Sequence, residues 1–389
     1  MRTALFDGTC RTLPPARTWQ AIRPLLPAYG VTRVADVTGL DDLAIPVTMA
    51  VRPLSRTLSV AQGKGVSLDA ARVSGAMEAL EVWHAERAVP PTELRRVAAA
   101  DLNLPYTVDE LEQHAGALVT DRTPLDWITA RSAVDGAAAL VPAAAVRLGR
   151  QEHDDWRLYL PSASTNGLAS GNTRAEALAH GLCEVIERDV LSTVPRAGRV
   201  ELIDPATVDG GEPAVLVDRL RRARVWVELT CWPNRFGVPV MCCHLWREDQ
   251  AAVLVAGSGA HVDPAVALTR AITEAAQSRL TLITGSREDS HPAVHRAGTG
   301  VRRGPAASSP LALVWRDIAA RHTTAHTTDT GTAAHLAACV TAATGIPPLA
   351  VDLTWGPYVR EEFAVVKVIA PRLRYDARHT VPRPTVAGR

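Results

Sequence analysis

The chain has 389 residues, of which 47% are hydrophobic, and its formal net charge is +1. This length allows one large domain or two ordinary domains with a substantial core. The near-zero net charge argues against nucleic acid binding through a strongly basic surface, and an aromatic fraction of 4% leaves few rings to stack on bases.

Targeting signals are missing from the sequence pattern. The N-terminus has no apolar segment of the secretory type, and no run of about 18 apolar residues predicts a membrane span. We therefore expect a cytoplasmic protein with reduced thiols. Buried thiols are favoured over a zinc site, because the spacing of Cys231, Cys242, Cys243 and His244 matches no structural zinc pattern.

The predicted elements alternate between strands and helices. The N-terminal half is predicted to contain short strands within 31–52, a strand at 55–61, a loop at 62–65, helices at 68–90 and 108–116, strand and turn at 137–148, and a strand at 156–160. A helix at 174–191 should begin with a capping box formed by Thr173 and Glu176.

The second half is predicted to continue the same alternation. It should contain a strand–helix–strand–strand unit at 198–255, a helix opened by Asp263 and Pro264, a polar loop at 286–334, a helix at 333–343 and two closing strands. The similarity of VELT and VDLT in the two halves predicts an α/β fold with internal duplication, built from split βαβ units of the ferredoxin-like kind.

One sequence template occurs three times, and each copy contains a glutamate from which its other positions can be counted: Glu78, Glu184 or Glu274. Each copy has an N-cap residue eleven positions earlier, an alanine seven earlier, a small residue three earlier, and an acid or amide three later. The copies are Ser67, Ala71, Gly75, Glu78 and Glu81; Thr173, Ala177, Gly181, Glu184 and Glu187; and Asp263, Ala267, Ala271, Glu274 and Gln277. Each is preceded by a glycine pair, at 63 and 65, 167 and 171, and 257 and 259.

The template predicts a site for a divalent metal and phosphate. Its spacings return to one side of a helix, so the acids of three packed helices could converge. Converging carboxylates collect hard cations such as Mg²⁺, which proteins commonly share with nucleotide phosphates. The glycine pairs would let backbone amides approach phosphate, with Lys64 between two glycines and Arg279 and Arg287 adding positive charge. A single ExxE is usually a solvated helix face, but three copies in register favour a shared site.

Three blocks resemble the signature segments of the YcaO superfamily: AQGKGVSLDAARVSGAMEALEVWHAE, STNGLASGNTRAEALAHGLCEVIERD, and GSGAHVDPAVALTRAITEAAQSRLTLITGSRED. The resemblance runs from about residue 30 to 375. It implies the YcaO α/β fold around a central ATP site, with the first 54 residues as a strand-rich N-terminal segment, 55–375 as the catalytic domain and 376–389 as an extended tail.

The resemblance also implies an enzyme that uses ATP and Mg²⁺ to phosphorylate the oxygen of a peptide backbone amide. The ATP-binding residues that match the family motifs are Lys64, Ser74, Glu78, Asn166, Glu184, Gln277, Arg279 and Arg287. The matching metal ligands are Glu78, Glu81, Glu184, Glu187 and Glu274. Which residues act directly as catalysts is left open.

Members of this family differ in the nucleophile that attacks the activated amide. External sulfide gives a thioamide, a substrate side chain gives an azoline, and an amine gives an amidine. The EALEVWHAE segment is similar to stand-alone members that work with a TfuA-like partner, which favours thioamide formation in a ribosomally synthesised precursor peptide. An azoline-forming cyclodehydratase or macrolactamidine-forming cyclase is the alternative, although only Pro382-Arg383-Pro384 stands where azoline-forming members end in PxPxP.

Two further classes of function stay open. One is a non-catalytic scaffold that binds nucleotide or peptide, and the other is a metal-dependent hydrolase, which would explain neither the glycine pairs nor Lys64. We expect peptide recognition to need a TfuA-like partner or a separate recognition protein, and a homodimer is compatible with the sequence.

Overall fold

Three strand–helix units, one for each copy of the template, lie at the centre of the structure. The computed structural model describes residues 1–113, 116–149, 159–161, 163–197, 200–247, 253–286, 312–322, 328–354 and 362–375. The helices in these ranges are α1 (Pro15–Ile22), α2 (Leu68–Arg87), α3 (Arg174–Ala197), α4 (Gly211–Arg222), α5 (Pro264–Thr284), α6 (Trp315–Arg321) and α7 (Asp329–Thr344).

The strands form several antiparallel sheets. Those before α3 are β1 (Ala4–Phe6), β2 (Thr9–Arg11), β3 (Arg33–Asp36), β4 (Val47–Val51), β5 (Val60–Lys64), β6 (Leu94–Ala98), β7 (Pro124–Ser132), β8 (Ala138–Pro142) and β9 (Leu168–Gly171). Those after it are β10 (Glu201–Ile203), β11 (Trp226–Cys231), β12 (Val240–Trp246), β13 (Val255–Ala260), β14 (Leu349–Asp352) and β15 (Ala364–Ile369). Besides the β1–β2 hairpin, the sheet orders are β3-β4-β5, β10-β11-β12-β13 and β6-β7-β14-β15-β9, with β8 on β7.

The three template helices begin where the sequence predicts, because each N-cap side chain accepts a first-turn amide. Ser67 accepts from the amide of Ala70 at 3.2 Å, Thr173 from Glu176 at 3.1 Å, and Asp263 from Ala265 at 2.8 Å. Only half of the predicted capping box forms at α3. The Glu176 carboxylate accepts from the backbone amide of Asn172 at 2.8 Å and from that of Thr12, not from the amide of Thr173.

Each template helix packs directly on the strand that precedes it, and the glycine pairs make this contact. A Cβ atom at Gly63 would lie 2.0 Å from the carbonyl oxygen of Ala71, and one at Gly257 would lie 2.2 Å from the amide nitrogen of Ala275. The predicted loop at 62–65 is therefore wrong: Gly63 belongs to β5, and the absent side chain lets strand and helix backbones touch.

Several other local predictions fail for identifiable reasons. The helix predicted at 108–116 is a single 3-10 turn, Val108–Glu110, and the chain is extended again at Leu111; residues 114–115 lie outside the described residues. The strand predicted at 55–61 begins at Val60 instead. The Glu86 carboxylate binds the backbone amides of Arg56 and Thr57, both at 3.0 Å, and holds that segment as a loop.

The predicted polar region 286–334 contains α6, and α7 starts at Asp329 rather than at 333. The predicted strand at 156–160 lies mostly outside the described residues, as do most of the polar region and the tail 376–389. The strand–helix–strand–strand unit predicted at 198–255 is confirmed by β10, α4, β11 and β12. Among the described helices, none is both long and apolar enough to cross a bilayer.

Candidate functional site

The template acids meet where β5, β9 and β13, each at the edge of its own sheet, lie against α2, α3 and α5. Three polar contacts tie the units together. The Ser170 hydroxyl donates to Glu81 at 2.5 Å, the Ser258 hydroxyl donates to Glu187 at 2.6 Å, and the Lys64 ammonium donates to Glu274.

These contacts form a closed cycle. The first template's strand bonds the third template's helix, the third template's strand bonds the second template's helix, and the second template's strand bonds the first template's helix. Lys64 and Ser170 both lie fourteen residues before their own template glutamate, and Ser258 lies sixteen before its own. Because successive side chains of a strand point to opposite faces, residues at even-numbered distances from the template glutamate lie on the same face of their strands. Ser170 and Ser258 were missed from the sequence, and their position beside the template glycines was the available signal.

The cluster of carboxylates is buried enough to shift its own ionisation. Burial, together with the charges of Glu78 and Glu184, raises the pKa of Glu81 to about 8. Burial and Glu187 raise the pKa of Glu184 to about 7, although Arg188 opposes them from 3.9 Å. Mutual repulsion of this kind is what a divalent cation relieves.

Glu274 is in a different electrostatic environment. Burial alone would raise its pKa, but the positive charges of Lys64 and Arg188 outweigh burial and lower it. Its second oxygen faces the backbone amide of Ser258 at 3.3 Å. The α5 side of the cluster therefore has positive partners for its carboxylate, whereas the α2–α3 side has acids whose ionisation is opposed by burial and by one another.

The donor set fits a magnesium ion shared with phosphate better than a metal held by protein alone. Among the described residues, no three histidine, cysteine, aspartate or glutamate side chains stand in a metal-binding group. Mg²⁺ usually binds one or two carboxylates and takes its other ligands from water and substrate phosphates. The Lys64 ammonium on Glu274 shows that this carboxylate already accepts a cation.

Beside the acids lies a cavity of about 30 Å³ between the β1–β2 hairpin, α3 and α5. Its lining includes Arg11, His180, His261 and Arg270. Within the described part of the chain, Nε of Arg270 and Nδ1 of His180 are buried without a hydrogen-bond partner, while Nη2 of Arg270 contacts Nε2 of His180 at 3.0 Å. A buried guanidinium N–H without an acceptor suits an anionic group such as phosphate, although the carboxylates of Glu176 and Asp329 also line this cavity.

Three of the side chains that line this cavity, His180, His261 and Cys183, are held in their uncharged forms. Burial, helped by Arg270 and Arg11, lowers the pKa of His261 to about 3 and that of His180 well below its usual range. Burial raises the pKa of Cys183 to about 12, which keeps it a thiol rather than a nucleophilic thiolate. The two arginines therefore supply the positive charge of the cavity.

The predicted site residues fall into two groups. Lys64, Glu78, Glu81, Glu184, Glu187 and Glu274 belong to the contacts just described, and Ser74 lies on α2 one turn before Glu78. Gln277 spans two units, because its Nε2 donates to the backbone oxygen of Gln62 in β5 at 2.7 Å.

Of the remaining predicted residues, Arg279 and Asn166 have their contacts away from the acids. Arg279 donates through Nε to Asp41 at 2.8 Å, and both side chains are nearly buried. Asn166 lines a second cavity near Lys367 rather than the cationic cavity. Arg287 lies outside the described residues. Cys242 and Cys243 pack into different core clusters on opposite faces of β12, which does not suit a shared zinc site.

The sequence matches the family described as YcaO cyclodehydratase, ATP- and Mg²⁺-binding, over residues 62–374. ATP and Mg²⁺, the cofactors expected from the sequence, are thereby confirmed at the level of the family.

Two related sequences have no assigned function. An uncharacterized protein of Mycobacterium tuberculosis is 41% identical over 294 residues, which are 75% of this chain and 66% of that protein, so this chain spans slightly less than two thirds of that relative. An uncharacterized protein in the tfuA 3′ region of Rhizobium leguminosarum bv. trifolii is 38% identical over 301 residues, which are 74% of this chain and 70% of that protein.

One solved structure is similar over almost its whole length. YcaO from Methanopyrus kandleri, bound with AMPPCP and Mg²⁺, is 27% identical and superposes with a TM-score of 0.69. The match covers 95% of this chain and 94% of that chain. The mixed α/β architecture expected from the sequence is confirmed by this structural match.

Proposed function

The chain belongs to the YcaO family, and we propose that it uses ATP and Mg²⁺ to activate a backbone amide of a ribosomally synthesised peptide by O-phosphorylation. One observation carries this proposal: carboxylates from three template helices converge beside a cavity whose buried arginine and histidine donors are unpaired in the described structure. Neither the carboxylate cluster alone nor the cationic cavity alone would bind a metal–nucleotide complex.

The α2–α3 side of the cluster would hold Mg²⁺. Glu78, Glu81, Glu184 and Glu187 on these helices, and Glu274 on α5, are the candidate ligands. One or two of these carboxylates would bind a given Mg²⁺ ion, and phosphate and water would supply its other ligands. The hydroxyls of Ser170 and Ser258 fix the orientation of two of these carboxylates, so the ligands are set before the ion arrives.

The α5 side would hold the phosphates. Arg270 and Arg11 bring fixed positive charge, and the neutral imidazole of His180 adds a hydrogen-bonding group. Lys64 lies between the two sides, where it can pair with a phosphate oxygen when Glu274 is engaged by metal. We assign Gln277 and Arg279 to holding the units together, since both are occupied by protein partners.

Bound ATP supplies the phosphoryl group that turns the amide oxygen into a leaving group, and Mg²⁺ screens its charge. The residues around it orient the reactants and neutralise charge, which is the main task of proteins in phosphoryl transfer. A nucleophile then bonds to the amide carbon as the carbon–oxygen bond breaks and phosphate departs.

We propose external sulfide as the nucleophile and a thioamide as the product. Support comes from the Rhizobium relative in the tfuA 3′ region, which suggests a TfuA-like partner that delivers sulfur or recognises the peptide. The buried Cys183 thiol does not suit a sulfur relay within this chain. An azoline-forming cyclodehydratase is the second candidate, because the family description names that activity.

Nucleotide turnover provides the first test. We expect ATP hydrolysis that requires Mg²⁺ and increases with a candidate precursor peptide, and Glu187→Gln should reduce it by about 100-fold while the protein stays folded. Asp218→Asn is the matched control, since Asp218 is a partly exposed acid on α4 that pairs with Arg222. Equal turnover in the two variants would refute the site assignment.

Product mass provides the second test. Incubation of the candidate precursor peptide with ATP, Mg²⁺, sulfide and a TfuA-like protein should exchange one oxygen for sulfur. Loss of water instead would identify the azoline or amidine chemistry. Tight ATP binding without turnover or product under any of these conditions would favour a non-catalytic scaffold.

A further inference from the structure

The chain uses lysine in only two places. Among its 42 basic residues, Lys64 and Lys367 are the only lysines, and every other basic position is arginine. The Lys367 residue is only 2% exposed and the Lys64 side chain 20% exposed. A sequence that uses arginine everywhere else keeps lysine where a compact ammonium fits and a planar guanidinium does not.

Lys367 lies in β15 and its ammonium is held by backbone carbonyls. Its Nζ donates to the carbonyl oxygens of Ser164 and Asn166, both at 2.6 Å. The Ser164 hydroxyl in turn donates to Glu112 at 3.1 Å. Converging carbonyl oxygens typically coordinate a small cation. Here the cation is the Lys367 ammonium, which is covalently part of the chain.

The charge of this ammonium is partly offset. Burial lowers the pKa of Lys367, while Glu112 and Glu184 act in the opposite direction. A cavity of about 30 Å³ adjoins the ammonium and is lined by Glu112, Asn166 and Val185. Within the described structure, Oδ1 of Asn166 is buried without a hydrogen-bond partner, so a water molecule or an amide donor fits this point.

The segment that Lys367 holds is packed against the helix turn that carries Glu184. The carbonyl oxygen of Gly167 accepts from the Val368 amide at 2.7 Å. A Cβ atom at Gly181 would lie 3.0 Å from that same oxygen, and one at Gly167 would lie 2.9 Å from Cγ1 of Val185. Gly167, at the end of this segment, therefore touches α3 on both sides of Glu184.

We propose that Lys367 is a positioning residue: a built-in cation that fixes residues 164–167 against α3 and so sets the place of Glu184 in the acid cluster. This inference deepens the proposed function and rests on it for the role of Glu184. The same contacts explain why the following strand, β9, holds Ser170 in register with Glu81.

The presence of only two lysines allows a direct test of the ammonium contact. Protein labelled with ¹⁵N at lysine Nζ should give two ammonium signals, of which the one absent from Lys367→Met should exchange its protons slowly because it is hydrogen-bonded and buried. Rapid exchange of that signal, equal to that of free lysine, would overturn the proposed contact.

Variants then test the positioning role. Lys367→Ala should lower ATP turnover by about 10- to 100-fold, the usual effect of losing a residue that orients a metal ligand. Added ethylammonium, which can refill the space left by the side chain, should restore several-fold of the loss, whereas tetramethylammonium, with no N–H donor, should not. Lys367→Arg should be as impaired as Lys367→Ala. Turnover within twofold of wild type in folded Lys367→Ala would overturn the proposal.

Hydrogen exchange separates this inference from the proposed function. If the wild-type chain hydrolyses no ATP, the positioning role still predicts faster amide exchange at residues 164–171 in Lys367→Met, with β11 and β12 unchanged. Unchanged exchange at 164–171 would overturn the inference by itself. Arg222→Gln, at a largely exposed arginine, is the control for loss of one positive charge.

Discussion

The contact between Ser258 and Glu187 gives the sharpest test of how the three units are joined. The Ser258 hydroxyl lies 2.6 Å from Glu187 and 3.4 Å from Glu274, so the first contact dominates. Ser258 is 1% exposed and Glu187 4% exposed. Ser258→Ala leaves a buried carboxylate without this donor, and a hydrogen bond to a charged group contributes about 1.5–3 kcal/mol. We expect a loss of that size in the free energy of unfolding.

The assay is urea unfolding followed by tryptophan fluorescence, with EDTA present so that no divalent metal contributes. Ser192→Ala is the matched control, because the Ser192 hydroxyl donates to the carbonyl oxygen of Arg188 in its own helix at 2.7 Å. The helix propensity of alanine is at least as high as that of serine, so the control should change the free energy of unfolding by less than about 0.5 kcal/mol.

A double-mutant cycle with Glu187→Ala, which removes both acceptor oxygens, isolates the pairwise contact from the single effects. The coupling energy should be about 1.5–3 kcal/mol if the hydrogen bond joins the second and third units. A coupling energy below about 0.5 kcal/mol would show that the two side chains act independently, and the cyclic arrangement would then have no energetic basis.

Three further changes have definite expected outcomes. Gly63→Ala should lose more than about 4 kcal/mol or fail to give soluble protein, since its Cβ would meet the backbone of α2 at 2.0 Å. Arg279→Gln should lower the melting temperature, as removal of a buried partner of Asp41 does, while the KM for ATP stays within about twofold of wild type. Glu86→Gln should cost about 3–5 kcal/mol at pH 7 by leaving Arg52 unpaired. Burial alone would raise the pKa of Glu86, but its hydrogen bonds with Arg52 outweigh burial and lower the folded-state pKa. The stabilisation from Glu86 is therefore complete at pH values above its pKa in the unfolded chain. Denaturation at several pH values should therefore show the difference from wild type shrinking as the pH falls through the folded pKa.

The template could be read from the sequence because its information is local. N-cap residues, small residues and acids at helical spacing report on one helix at a time, and Ser67, Thr173 and Asp263 all cap as expected. The glycine pairs were misread for the same reason. Glycine permits close approach of any backbone, and nothing local distinguishes an approaching phosphate from an approaching helix such as α2 at Gly63.

The cross-unit contacts could not be read because they join distant positions. Arg279 and Asp41 are 238 residues apart, and Lys64 and Glu274 are 210 apart. Their pairing depends on which sheet edges meet, and helix or strand periodicity carries no such information. Asn166 illustrates the limit: its motif position indicated the phosphates, but the chain path directs its side chain to the cavity beside Lys367.

The cycle of contacts also explains why three similar units make an asymmetric site. Two of the strands offer a neutral hydroxyl to the next helix, from Ser170 and Ser258, whereas the third offers the charged ammonium of Lys64. Only Glu274 therefore receives a full counter-charge from a strand, whereas burial and neighbouring acids oppose the ionisation of Glu81 and Glu184. In the proposed site, a divalent cation would relieve the repulsion among those acids, and an anion would be attracted to the arginines on the opposite side. The proposed difference between a metal side and a phosphate side would thus follow from one lysine among three corresponding strand residues.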